Sequence, residues 1–277
     1  MRFQRLEAPL LVTPAVLFLA VWFIIPLARL FSLAFTGDVA TAEPFSELIA
    51  SEVYRHVFLR TLWVAAFVTC ITLLLAYPLA AFLSRLRGVR FLLALYGVLF
   101  PLWISVLVRT FSWMLLLERN GPVNRALRDL GLTEHPLSLL FNDIGVVIGM
   151  VHVMVPYAIL PIYAAMTRID RRLLLASDGL GASPLFTFRR VYLPLSMPGV
   201  VAAAAFVFLL SLGFFVTPAL LGGSNAMTAP MLIASFVNDR LAWSLAAAAS
   251  LVLLAAILVL LWLVSRFVPL PQRMIVR

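Results

Sequence analysis

"LASDGLGASPLFTFRRVYLP" fills residues 175–194. It holds Asp178, the paired Arg189 and Arg190, two glycines and two prolines. Apolar runs flank it at about 144–166 and 198–221. Crossing the hydrocarbon of a bilayer takes about 20 mostly apolar residues, and both runs supply that many. The stretch is therefore a connection between two membrane spans.

Working outward, further runs lie at about 10–35, 61–84, 91–117 and 243–267, which makes six in all. The chain has 277 residues, of which 64% are hydrophobic and 12% charged. A soluble domain carries about 25% charged residues. An apolar segment in lipid satisfies its backbone only as a helix or in a closed barrel. The alternating ten-residue segments of a barrel are absent. The expected fold is all-α, with six transmembrane helices in one domain over residues 1–277. Arg2 and Arg5 precede the first run, but that run exceeds the about 7–15 residues of a signal peptide core, so it reads as an uncleaved span.

All 21 basic residues are arginine, and the formal charge is +9. They sit mostly at the edges of apolar runs, which is how membrane topology is written and not how a nucleic-acid surface is built. Thirteen fall on one side: Arg2, Arg5, Arg85, Arg87, Arg90, Arg168, Arg171, Arg172, Arg189, Arg190, Arg266, Arg273 and Arg277. Six fall on the other: Arg55, Arg60, Arg119, Arg125, Arg128 and Arg240. The richer side is expected in the cytoplasm, with both termini. The opposite loops hold most of the acids, among them Asp38, Glu47, Glu118 and Asp239.

The loop over 167–198 is far longer than the connection at 85–90. Asp170 is a plausible N-cap for a helix through Arg171–Ser177, which Gly179 and Gly181 break. Ser183 and Pro184 then start a second helix, as N-cap and first helical residue. It carries Leu185, Phe186, Phe188, Val191 and Tyr192, and Pro194 and Pro198 are expected to end it before the next span. Two short helices with apolar and basic faces fit a docking element for a partner. An amphipathic connector lying on the inner leaflet fits the same pattern.

Other chemistry is sparse. Cys70 is the single cysteine, so no disulfide forms within the chain. A phosphate-binding loop of the Walker type needs a lysine, and there is none. His56, His135 and His152 lack metal-ligand spacing, and no hydrolase motif occurs. Nothing here supports a membrane enzyme or a receptor. Arg109 lies deep in the third run, where a charge costs at least about 2.5–3.5 kcal/mol, so it should face the bundle interior or water. It either packs as an ion pair or lines a pathway, and Asp143 is a candidate for the acid it orients. Trp103, Phe111, Trp113 and Tyr157 could present ring faces to a cation, or serve as packing and belt residues. Asn142 and Asp143 read as the cap of the fourth span, with Asp143 also a candidate cation contact.

The opening stretch resembles the EAA motif of ABC importer permeases. Leu175, Ala176 and Ser177 fill the first triplet, Gly181 and Ala182 follow at the family spacing, and Val191, Tyr192, Leu193 and Pro194 end it. Leu175 stands where the family has glutamate, so that polar contact is not carried over. "PLWISVLVRTFSWMLLL" from Pro101, "GPVNRALRDLGL" from Gly121 and "IGMVHVMVPYAILPIYAAM" from Ile148 look like PotB-like spermidine/putrescine permeases. The resemblance implies a type I, MetI-like inner-membrane permease in which 167–198 is the coupling-helix loop. It implies two ATPase subunits that bind ATP and magnesium, a second homologous permease subunit and a periplasmic substrate-binding protein. The chain itself would bind no cofactor or metal. A polyamine is the cargo the resemblance favours; an opine, an amino-acid derivative or another small solute stays open.

Overall fold

The computed structural model describes residues 4–35 and 43–267. Arg2, Asp38, Arg273 and Arg277, used above for topology, lie outside them. Among the described residues the regular structure is helical throughout. Helix α1 (Gln4–Leu19) passes through a π turn, Ala20–Ile24, into α2 (Ile25–Ser32). α3 (Glu43–Ala50) and the long α4 (Glu52–Arg85) follow. Then come α5 (Gly88–Trp103), α6 (Val106–Leu117), α7 (Pro122–Asp129) and α8 (Asp143–Thr167). α9 (Arg171–Gly179) and α10 (Pro184–Thr187) make up the loop. α11 (Leu193–Leu212), α12 (Ala229–Asn238) and α13 (Trp243–Phe267) complete the chain.

Five helical segments are long and apolar enough to cross a membrane, and two bent pairs raise the number to as many as seven. The six expected spans fall within this range, but three readings need correction. The run at 91–117 is not one straight span. It breaks at Ile104 and Ser105, with a 95° bend between Gly88–Trp103 and Val106–Asp129. Ile104 leaves the helix in extended backbone, its N–H donating to the Pro101 carbonyl at 3.3 Å, and the Ser105 carbonyl opens the next helix by accepting from the Arg109 N–H at 3.0 Å. A hydropathy window adds up side chains and does not register such a break.

Second, Pro194 and Pro198 do not end the second loop helix. Pro184–Leu212 is one 29-residue helical segment, and α10 enters α11 through a π turn at Phe188–Tyr192. There the Leu193 N–H donates to the Phe188 carbonyl, five residues back. The wide turn leaves room for the ring of Pro194, which would clash in a regular helix. The π turn at Ala20–Ile24 stands in the same place relative to Pro26. Third, residues read as a plain outer loop after 221 contain α12. Pro218–Ala226 and Ala229–Asn238 form a pair bent by 84°.

The described residues pack as two compact units. The first takes the N-terminal part through His56 together with Leu232–Ala256. Within it Tyr54 meets Phe236 edge-on at 5.3 Å, and Arg240 donates to the Tyr54 hydroxyl at 2.8 Å. Ala246, Ala247, Ala248 and Ala249 are all buried, and such small side chains let helices approach closely. The second unit takes Val57–Met231 and the chain from Ile257. Its core is built on α8, which buries Met150, Met154, Ile159 and Ile162 against Val68 and Ala76 of α4 and Ala203 and Val207 of α11. Gly199 makes the close approach of α11 to α8 possible. A Cβ there would sit 2.5 Å from the Ala165 Cβ and 2.7 Å from the Pro161 carbonyl oxygen.

Candidate functional site: the loop between α8 and α11

Local chemistry shapes this loop. The Asp170 carboxylate caps α9, accepting from the Arg172 N–H at 2.9 Å. The helix closes in a Schellman turn: the Gly181 N–H donates to the Asp178 carbonyl at 2.9 Å, and the Ala182 N–H reaches back to Ser177 at 3.1 Å. That geometry places Gly181 at φ 77°, a region where side chains with a Cβ are strained. The Ser183 hydroxyl caps the next helix through the Phe186 N–H at 3.3 Å, and Pro184 takes its first turn. A hydroxyl pair, Ser177 with Thr187 at 2.8 Å, ties the two helices, and Thr187 is buried.

The outcome is a bent helical element whose apolar side chains stay uncovered. Leu175 is 68% exposed and Leu180 88%, with Leu185 and Phe186 also exposed. Ala176 and Pro194 are exposed too, while Ser177, Ala182, Val191 and Leu193 are half-buried. Uncovered leucine and phenylalanine at the end of a helical bundle mark a surface that something else covers.

The interior candidates do not converge. Trp103 and Phe111 are exposed, and Trp103 touches Tyr96 at 6.2 Å. Trp113 of α6 donates from its indole to His152 Nδ1 of α8 at 3.1 Å. Tyr157 packs edge-on against Phe206 at 5.9 Å. Arg109 is buried on α6, and its Nε and Nη1 have no hydrogen-bond partner among the described residues.

Asp143 is not oriented by Arg109. It pairs with Arg60 of α4 at 2.6 Å. Arg60 also donates to the Asn225 carbonyl, so a single guanidinium joins α4, the start of α8 and the bent segment near 218–226. Asn142 caps α8 as expected, its side chain accepting from the Gly145 N–H at 3.1 Å. By sequence Arg60 counts only as a topology charge, because its acid lies 83 residues away.

This set of bent and straight apolar helices, joined between α8 and α11 by a helical loop, defines a multi-pass membrane protein. The chain belongs to the family of binding-protein-dependent transport system inner membrane components, which it matches over residues 44–272. It is a permease subunit of an ABC-type importer. It is 32% identical over 237 residues to the spermidine/putrescine transport system permease protein PotB of Escherichia coli strain K12, covering 84% of this chain and 86% of that one. It is 34% identical over 224 residues to PotB of Haemophilus influenzae, covering 80% and 78%. Among solved structures, it superposes with a TM-score of 0.76 on a chain of a bacterial alginate ABC transporter in complex with an alginate-bound periplasmic protein. That match covers 96% of this chain and 94% of the other at 18% identity, a likeness of fold alone.

Proposed function

We propose that this permease supplies half of a polyamine import pathway and that the 175–194 element docks into an ATPase subunit. The observation that carries the docking reading is the bent pair itself. The turn at Gly181 leaves Leu175, Leu180, Leu185 and Phe186 uncovered. Closure of the ATPase dimer would move this element, and the continuous helix from Pro184 to Leu212 would carry the movement into the membrane as a rigid lever. The polyamine reading rests on the PotB relatives, which align over most of their own length. Orientation follows the arginine asymmetry, with the loop in the cytoplasm.

In this reading the chain works with a second homologous permease, two ATPase subunits that hold ATP and magnesium, and a periplasmic binding protein. The chain itself catalyses nothing. Trp103, Arg109, Phe111, Trp113, Asp143 and Tyr157 are the pathway candidates.

The test is uptake of radiolabelled putrescine, spermidine and a panel of opines and amino-acid derivatives in a strain lacking the chain, with and without complementation. Putrescine or spermidine uptake that returns only with the chain, together with capture of the ATPase subunit on the tagged permease, is the expected result. Restoration of another solute alone would overturn the polyamine assignment. ATP hydrolysis by the purified chain, free of partner subunits, would overturn its non-catalytic role.

A further inference from the structure

A cavity of about 890 Å³ opens between the α8–α11 loop and the ends of the spans. Three arginines from three segments line it: Arg85 at the end of α4, Arg87 in the turn to α5, and Arg171 at the start of α9. The one acid on its wall is Asp178. None of the three guanidiniums is in an ion pair among the described residues, where the sole salt bridge is the distant Arg60–Asp143 pair. Phe188 supplies an apolar wall and Tyr192 a hydroxyl.

The depth of the cavity is informative. α4 ends at Arg85, α8 ends at Thr167, and Tyr192 immediately precedes α11. The cavity therefore lies at the arginine-rich ends of these helices, the side that the positive-inside rule assigns to the inner-leaflet surface. Guanidinium groups match phosphate oxygens in a planar, two-pronged way, and basic pockets between span ends attract anionic headgroups. An apolar wall beside the arginines suits the glycerol and upper acyl chain of a lipid and offers little to a free, fully hydrated anion.

We propose that this cavity binds the phosphate headgroup of an anionic phospholipid, with Arg85, Arg87 and Arg171 as its ligands. The lipid bridges the α4–α5 turn to α9 and so holds the loop against the ends of the spans. The proposal is independent of which solute is transported.

The test uses the intact, purified importer complex. Native mass spectrometry after detergent washing reads the phosphatidylglycerol and phosphatidylethanolamine that stay bound. Wild type is expected to retain phosphatidylglycerol preferentially. The combined Arg85→Gln, Arg87→Gln, Arg171→Gln variant is expected to lose that retention by at least about tenfold, since each arginine near a membrane surface contributes attraction to anionic lipid. Arg119→Gln, Arg125→Gln and Arg128→Gln together remove the same number of charges elsewhere and should retain lipid as wild type does. The triple lysine variant, which keeps charge but loses the planar fork, should recover part of the retention and guards against misfolding of the glutamine set. Equal retention of both lipids by wild type would overturn the proposal. So would displacement of phosphatidylglycerol by millimolar inorganic phosphate, which marks a soluble-anion site. Loss of the ATPase subunit from the glutamine variant with lipid retention unchanged would assign the arginines to the ATPase instead.

Discussion

Gly181 is where a single side chain decides the aim of the loop. Nothing lies within 4 Å of a Cβ built there, so a substitution is opposed by backbone conformation and not by a clash. At φ 77° a β-branched residue is strained by at least about 1 kcal/mol, whereas asparagine tolerates this region. Gly181→Val should leave the spans inserted but weaken ATPase capture and uptake, and Gly181→Asn should come closer to wild type. Transport and subunit binding measured together check this, and full transport by the valine variant at normal expression would return the loop to a leaflet-lying connector. Arg109 makes the opposite case, a group the fold carries at a cost. Its Nε and Nη1 are buried without acceptors among the described residues. A buried charge without a partner carries an uncompensated desolvation penalty, on the order of several kcal/mol, which an apolar side chain of similar size removes. Arg109→Met should therefore raise the melting temperature of the detergent-solubilised complex while uptake falls. A lower melting temperature would show that the guanidinium is satisfied in the folded protein.

Helix ends and helix breaks hold this fold in register. Arg60 links three segments through Asp143 and the Asn225 carbonyl, yet the pair is partly open, with side chains 22% and 55% exposed. Solvent screening keeps such a pair to about 0.2–1 kcal/mol. A double-mutant cycle with Arg60→Gln and Asp143→Asn, read by thermal unfolding, should return a coupling in that range. Arg60→Gln alone should cost more than Asp143→Asn, because it also removes the bond that holds the bent segment. A coupling near zero, with equal single effects, would mean that α4 and α8 are set by packing alone. The Ala229 N–H, donating to the buried Thr61 hydroxyl at 2.8 Å, is a second tie of the bent segment to α4.

For the molecule as a whole, topology is the open consequence of charge. With the arginine-rich loops inside, cysteines at positions 87 and 190 should resist an impermeant thiol reagent in intact cells. A cysteine replacing the exposed Glu47 should be labelled. The background is Cys70→Ser, which removes the single native thiol. Labelling at 190 but not at 47 would invert the orientation. Much of this architecture is legible in the chain. Hydropathy sums over adjacent side chains, so the apolar runs show directly, and caps at Asp170, Asn142 and Ser183 act across two or three residues. The Gly181 turn is equally local, since it closes within one helix end. Other features depend on what the segments meet after folding. The break at Ile104, the π turn that lets Pro194 continue a helix, and α12 are choices of backbone path that composition does not distinguish. The pairing of Asp143 with Arg60 and the cavity shared by Arg85, Arg87 and Arg171 are decided only in three dimensions, because side chains far apart in sequence become partners when packed helices bring their ends together.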